Sequence, residues 1–323
     1  AEDFAPFDIT VTTDVAIYDT ADVDKRLHVV ITPTNDAAPG AGGVAGLFSF
    51  RSNSPVVWVF NLSEYICATT ISHEAGHAFG LYHDGQLPTV TYYPGHNDGY
   101  TPGWGAIMGA PFSGGFYDEV DQWSKGEYEG ADNQEDDLAI IAGTRNGFGY
   151  KADDYSDVIG GGSGILNTIG EDLLGATGLI STSSDVDIFR FASSDGDITL
   201  TVSPLDVNSS ESQPGSNTQG ANLAAQITLL DSTGLLLATG LPDGATELES
   251  KVEATVTAGI YYIAVEGAGR GVDASVGFSD YASLGAYTII GNLPAPPLTV
   301  TGGEGIHKNA NSVLLGDVET QVE

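Results

Sequence analysis

Apolar and polar residues alternate in several short segments near the start of the chain, and this pattern predicts β-strands. Alternation over four to eight residues turns every second side chain toward the same face of a sheet. A glycine-rich turn at residues 39–43 interrupts the pattern. We predict strands at residues 7–13, 27–32, 44–50 and 56–60.

The pattern changes to a helical one from about Ser63. Apolar residues then recur on one helical face as far as Gly80, and glycine often ends a helix in the left-handed conformation. A second helix is predicted to begin at Asn133, with acidic residues in its first turn, and to end near Gly147.

Strand patterns dominate after residue 150. Asp-, Ser- and Gly-rich turns separate predicted strands at residues 186–191, 198–202, 225–230 and 260–265. This spacing is typical of an antiparallel β-sandwich. We therefore predict an α+β domain at residues 1–150, an all-β, jelly-roll-like sandwich at 151–293, and a linker and tail at 294–323.

Composition narrows the possible partners. The 323 residues suit two domains, and they include 44 acidic and 10 basic side chains, for a net charge of -34. Such a surface repels nucleic acid and anionic membranes. The acids suit solubility in a salty medium, calcium binding, or both. No apolar stretch is long enough to span a membrane, and the single cysteine, Cys67, excludes an intrachain disulfide.

One segment, residues 73–84, carries the chemistry. His73 and His77 lie four residues apart, so on a helix both imidazoles can face one metal ion. Gly80 lets the chain turn out of the helix, and His83 then returns as a third ligand. Glu74 lies beside the ligands without having to bind the metal.

Three protein ligands leave the fourth position of zinc to water, which is the catalytic arrangement. Zinc lowers the pKa of that water toward about 7. Glu74 is the predicted general base, which takes the proton and passes it to the leaving amine. The alternatives are two surface histidines with an unrelated third, or a zinc site without catalysis.

The zinc motif at residues 73–84 resembles that of the metzincin clan of zinc endopeptidases. Met108, the only methionine, lies in a segment similar to the clan's methionine turn, which implies an apolar base beneath the histidines; the simpler interpretation is a core methionine. Asp84 resembles the adamalysin-like pattern. Ala110 departs from the astacin and serralysin pattern, which has a tyrosine there to aid the transition state.

The clan also binds its substrate in extended form against an edge strand. The candidate substrate-binding residues are small or apolar: Gly43, Val44, Ala45, Gly46 and Leu47. Small side chains would let a peptide backbone approach and add as a strand; the alternative is an ordinary glycine-rich hairpin. The resemblance further implies that part of the domain precedes Ala1.

The sandwich region resembles the bacterial pre-peptidase C-terminal domain. The similarity is carried by residues 185–191, 259–265 and 281–287. It implies an extracellular accessory module, sometimes removed during maturation, and hence a secreted protein. Asp185 and Asp187 alternate along a predicted strand and share one side of it. They are calcium candidates; the alternative is a solvated acidic face.

Together these observations predict a secreted, monomeric zinc endopeptidase that hydrolyses protein or peptide substrates. Zinc is the expected cofactor, and calcium is a second candidate. One alternative is a non-catalytic extracellular binding protein with a vestigial zinc site. Another is a zinc enzyme that hydrolyses a non-peptide amide.

Overall fold

The chain is mostly β-structure in a computed structural model. The structure describes residues 2–36, 38–53, 55–60, 64–96, 103–111, 119–160, 163–170, 173–204, 220–242, 248–271, 277–294, 298–300, 306–309, 312–315 and 320–322. Among these residues, no helix has the length and apolar character needed to cross a membrane.

The N-terminal part combines a small sheet, a long helix and a separate strand pair. Its helices are α1 (Val15–Thr20), α2 (Glu64–Phe79) and α3 (Asp137–Ile141). Its strands are β1 (His28–Ile31), β2 (Gly43–Val44), β3 (Val56–Val59), β4 (Gly103–Ala106) and β5 (Glu119–Gln122). Strand β3 pairs in parallel with β1 and antiparallel with β2, while β4 and β5 form a parallel pair. Buried Val57 and Val59 pack against Ala78 of α2.

Two of the predicted strands are wrong. Residues 7–13 are not a strand; Phe7 makes one isolated bridge to Tyr150. The predicted strand at 44–50 ends at Val44, and Phe48 has a positive φ of 58°. The backbone N–H groups of Phe48 and Phe50 bond to carbonyls at the end of α2, so this segment wraps the helix end instead of extending the sheet. The strands at 27–32 and 56–60 are confirmed as β1 and β3.

The first helix is confirmed, whereas the second begins later and ends earlier than predicted, at Ile141 and not near Gly147. Gly80 follows α2 with a φ of 117°. Asp136, not Asn133, caps α3, because its side chain accepts a hydrogen bond from the Ala139 N–H. Asn133 instead donates to the main-chain oxygen of His83 and so connects this loop to the predicted zinc motif.

The C-terminal part contains two five-stranded sheets in the described residues. Their strands are β6 (Gly164–Ile165), β7 (Asn167–Gly170), β8 (Leu173–Ile180), β9 (Val186–Ser193), β10 (Gly196–Pro204), β11 (Ala225–Asp231), β12 (Leu236–Gly240), β13 (Ser250–Val256), β14 (Gly259–Gly267) and β15 (Gly285–Asn292). The sheet orders are β13-β10-β15-β8-β7 and β12-β11-β14-β9-β6. Apart from β6 and β7, which lie at the edges, this is the strand order of a jelly roll.

Buried side chains alternate along these strands, as the sequence predicted. In β10, for example, Ile198, Leu200 and Val202 are all at most 1% exposed. Their side chains share one cluster with those of the facing sheet. The four predicted sandwich strands are confirmed as β9, β10, β11 and β14.

The final segment contains short strands. Strand β16 (Leu298–Val300) pairs with β19 (Thr320–Val322), and β17 (Ile306–Asn309) pairs with β18 (Ser312–Leu315). The predicted linker and tail begin at residue 294, and residues 295–297 lie outside the described residues.

The N-terminal part packs directly against the sandwich. Phe4 and Trp123 belong to the same buried cluster as Tyr281 and Leu284. The domain boundary at residue 150 stays a prediction, and residues on both sides of it share one buried apolar cluster.

Candidate metal centre

Helix α2 and the turn after it bring three imidazoles together. His73 and His77 lie one turn apart on α2, and Gly80 redirects the chain so that His83 faces them. One ring nitrogen of each histidine lies within 4.8 Å of the others. The Nε2 atoms of His77 and His83 are 2.9 Å apart. The predicted ligands therefore form one cluster.

Backbone carbonyls select the tautomer of two of these rings. The Nδ1 atom of His73 lies 2.8 Å from the oxygen of Ile107, and the Nδ1 atom of His77 lies 2.8 Å from the oxygen of Leu81. Because a carbonyl only accepts, Nδ1 carries the hydrogen in both rings and Nε2 keeps its lone pair. This is the outer-shell arrangement typical of metal-binding histidines.

Burial keeps the three imidazoles neutral. Desolvation lowers the pKa of His73 to about 3, with a further contribution from nearby His77. Desolvation also lowers the pKa of His77 and of His83. Neutral imidazole is the form that binds a metal. The donor set, its tautomers and its charge state all fit zinc.

Met108 is fully buried and directly follows Ile107, whose main-chain oxygen is the partner of His73 Nδ1. A Cβ added to Gly76 of α2 would lie 2.5 Å from the Met108 sulfur, so only glycine lets the helix approach this closely. The main-chain oxygen of Met108 accepts from the N–H of Asp84. Burial, together with Glu135 and Asp132, raises the pKa of Asp84 to about 7.

Glu74 is also buried, on the side of α2 that faces the sheet edge. Its carboxylate accepts a hydrogen bond from the backbone N–H of Ala45, and desolvation raises its pKa to about 7. A Cβ on Gly43 would lie 2.6 Å from the Glu74 Cγ atom. The segment predicted to bind substrate therefore contacts the predicted base directly, which the sequence did not indicate.

The predicted substrate-binding segment is a strand only at its start. Gly43 and Val44 form β2 at one end of the sheet order β1-β3-β2. Ala45, Gly46 and Leu47 continue beyond the strand toward the end of α2. Val44 and Leu47 are exposed.

Tyr92 is a site residue that the sequence analysis missed. Its ring centroid lies 4.5 Å from that of His83 and 6.4 Å from that of His73, and the side chain is exposed. The family pattern pointed only to the position two residues after Met108, where Ala110 stands. A tyrosine between the third histidine and the methionine was the available signal.

His96 points away from the cluster. Its Nδ1 atom lies 2.6 Å from the hydroxyl of Tyr93, and its Nε2 atom lies 2.9 Å from the oxygen of Gly277 in the sandwich. Both ring nitrogens therefore have partners that are not metal ligands.

A second group of possible ligands lies in the sandwich. Carboxylate oxygens of Asp153, Asp185 and Asp187 lie within 4.8 Å of one another. Asp185 lies in the turn before β9, and Asp187 lies on β9. The structure therefore adds Asp153 to the two acids that the sequence favoured.

One oxygen of each buried carboxylate in this group has no hydrogen-bond partner. Asp185 Oδ2 accepts from Ser181, and Asp187 Oδ2 accepts from the Tyr287 hydroxyl, while Oδ1 of both is buried and unpaired. Desolvation raises the pKa of Asp187 to about 8, and nearby Asp154 adds to the shift. Among described residues, no Lys, Arg or His forms an ion pair with these acids.

Comparison with known proteins gives only distant likenesses. No protein-family model matches the sequence. No curated protein matches it either. One similar solved structure is PliG from Aeromonas hydrophila, a periplasmic inhibitor of g-type lysozyme, at 13% identity and a TM-score of 0.25, over 41% of this chain and 96% of that one.

Another similar structure is the pre-peptidase C-terminal domain of a collagenase from Bacillus anthracis. The identity is 16% and the TM-score 0.23, over 39% of this chain and 90% of that one. At these values neither likeness supports an argument about fold or function.

Proposed function

We propose that this chain is a secreted zinc-dependent endopeptidase of the metzincin type. One observation carries the proposal: three imidazoles converge on one point, two of them held by backbone carbonyls, next to a buried glutamate. His73, His77 and His83 would hold the zinc ion. When bound, zinc would activate water and polarise a peptide carbonyl.

Glu74 is the proposed general base. It follows His73 on α2, and the Ala45 N–H holds its carboxylate by a hydrogen bond. A carboxylate fixed beside the ligands can take a proton from the attacking water and give it to the leaving amine. Tyr92 lies on the exposed side of the imidazoles, where its hydroxyl can donate a hydrogen bond to developing negative charge.

Strand β2 is the proposed docking edge for an extended peptide. It pairs with β3 on one side and ends the described sheet on the other. A peptide that adds to this edge would lie beside Glu74, because Gly43 contacts that side chain. This contact favours a protein or peptide substrate over a small non-peptide amide.

Hydrolysis of casein or gelatin by the wild type and by Glu74→Gln tests the proposal. Glutamine keeps the shape of the side chain but cannot accept the proton. We expect both proteins to retain zinc, while the variant loses about 10²- to 10⁴-fold in kcat. Glu129→Gln, at an exposed position, is the matched control and should stay fully active.

If the wild type binds zinc but cleaves nothing, the binding-protein alternative replaces the proposal. If Glu74→Gln cleaves as fast as the wild type, the assigned base is wrong. A mass-spectrometric survey of products separates peptide from non-peptide hydrolysis.

We also propose a calcium ion at Asp153, Asp185 and Asp187. The support is the pair of buried, unpartnered carboxylate oxygens within a group of acids. Buried carboxylates without a counter-charge are costly, and calcium prefers oxygen ligands of this kind.

A further inference from the structure

A chain of buried and partly buried hydrogen bonds connects the sandwich to the candidate metal centre. It begins at Asn222, which lies just before β11 and is 6% exposed. The main-chain oxygen of Asn222 accepts from Gln122 Nε2 at 2.6 Å. Its side-chain Nδ2 donates to Asp3 Oδ1 at 2.7 Å. Two series of hydrogen bonds, the first and second routes, therefore run from Asn222 into the N-terminal part.

The first route runs through Gln122, which ends β5 and is 1% exposed. Its side-chain Oε1 accepts from Trp104 Nε1 at 2.8 Å. An indole only donates and a carbonyl only accepts, so these two partners allow one orientation of the amide. The main-chain oxygen of Gln122 accepts from the N–H of Ile107, and the Ile107 oxygen is the partner of His73 Nδ1.

The second route runs through Asp3. Its Oδ2 atom accepts from the Ser72 hydroxyl, and Ser72 directly precedes His73 on α2. The main-chain oxygen of Asp3 accepts from Trp123 Nε1 at 2.7 Å. Both routes therefore end at His73, one at its ring and one at the adjacent backbone.

We propose that the sandwich positions the zinc ligand His73, with Gln122 and Asn222 as positioning residues. This inference rests on the zinc centre proposed above. Partners outside the ligand shell orient the ligands, and a buried hydrogen bond that is lost leaves an unsatisfied polar atom, so the surrounding segment shifts. The sandwich is then an integral part of the metal centre and not a removable accessory.

Metal binding by Gln122→Met and Asn222→Ala tests the inference. Methionine keeps much of the volume of glutamine but neither of its hydrogen bonds. Competition with a chromophoric chelator gives the zinc affinity, and the visible spectrum of the cobalt-loaded protein reports the ligand geometry. We expect each variant to bind zinc about 10-fold or more weakly and to show an altered cobalt spectrum.

Tyr281→Phe is the matched control. The Tyr281 hydroxyl donates to Asp136 and accepts from the N–H of Leu138, across the same interface but on neither route. Its removal should leave the zinc affinity and the cobalt spectrum unchanged. An equal loss in Tyr281→Phe would mean that any loosening of the interface weakens the site, and the assigned routes would be wrong.

If both test variants show the zinc affinity and the cobalt spectrum of the wild type, this inference is wrong, while the proposed metal centre is unaffected. A wild type that binds neither zinc nor cobalt would overturn the proposed metal centre as well. Circular dichroism establishes folding. If Gln122→Met does not fold, Asn222→Ala carries the test, because it removes one side-chain hydrogen bond and leaves the main-chain contacts in place.

Discussion

The two candidate cation sites differ in whether their buried polar atoms have hydrogen-bond partners. In the N-terminal part, the candidate ligands are imidazoles, and backbone carbonyls satisfy the outward nitrogens of His73 and His77. In the sandwich, the ligands are carboxylates, and one oxygen of both Asp185 and Asp187 has no partner. The first site can stay folded without its metal at little cost, whereas the second needs a cation or a proton.

The largest expected effect is a loss of zinc affinity when one imidazole is removed, and it distinguishes the two sites. His77→Ala should weaken zinc binding at least about 1,000-fold, since loss of an outer-shell partner alone costs about 10- to 100-fold. Asp185→Asn should leave zinc affinity within about 2-fold, as expected for independent sites. Chelator competition measures both. A comparable loss in Asp185→Asn would show that the two sites are coupled.

The next largest effect concerns Glu2, a buried acid outside both candidate cation sites. Burial against the sandwich raises the pKa of Glu2 to about 7, although the Ala286 N–H bonded to its carboxylate lowers it somewhat. At low pH the side chain is protonated in both the folded and the unfolded states. As the pH rises from 4.5, its ordinary pKa, through about 7, the unfolded state ionises first, so the free energy of unfolding falls.

The loss attributable to Glu2 should be about 3 kcal/mol, at 1.36 kcal/mol for each pKa unit. Urea unfolding at about pH 4 and about pH 8 measures it, and Glu2→Gln should reduce the pH dependence by that amount. Calcium should not change this contribution, because Glu2 is not part of the aspartate cluster. If Glu2→Gln and the wild type lose stability equally, Glu2 is not the group responsible.

Calcium should stabilise the sandwich through its aspartates. At a concentration 100 times the dissociation constant, the free energy of unfolding should rise by about 2.7 kcal/mol. Asp187→Asn should abolish the response, whereas Asp8→Asn, at an exposed position, should retain it. Thermal unfolding with and without calcium checks this prediction. If calcium does not stabilise the wild type, the proposal of a calcium ion at these aspartates is wrong.

The smallest expected effect concerns the exposed side of the imidazole site. Tyr92→Phe should lower kcat about 10-fold, or about 1.4 kcal/mol, through loss of one hydrogen-bond donor to the transition state. Zinc affinity should not change, because the tyrosine is not a proposed ligand. Steady-state kinetics on a casein peptide would decide. A higher KM at constant kcat would mean that Tyr92 binds substrate and does not act in the chemical step.

The sequence predicted those features that depend on local spacing. The placement of His73 and His77 on one face of α2 and the alternating strands β9 and β10 follow from helical and strand periodicity. Sequence-based prediction failed where contacts between residues distant in the sequence determine the structure. Residues 44–50 alternate like a strand, but their backbone bonds to the end of α2. The approach of Asp153 to Asp187, and of Gln122 to Asn222, depends on folding that no local pattern encodes.

The burial of Met108 has a practical consequence. Oxidation of its sulfur requires access for peroxide and room for an added oxygen, and the close approach of Gly76 leaves neither while this region is closed. Because the chain has one methionine, any sulfoxide on the intact protein can be assigned without digestion. The rate at which the sulfoxide forms would then report how often the contact between α2 and Met108 opens transiently.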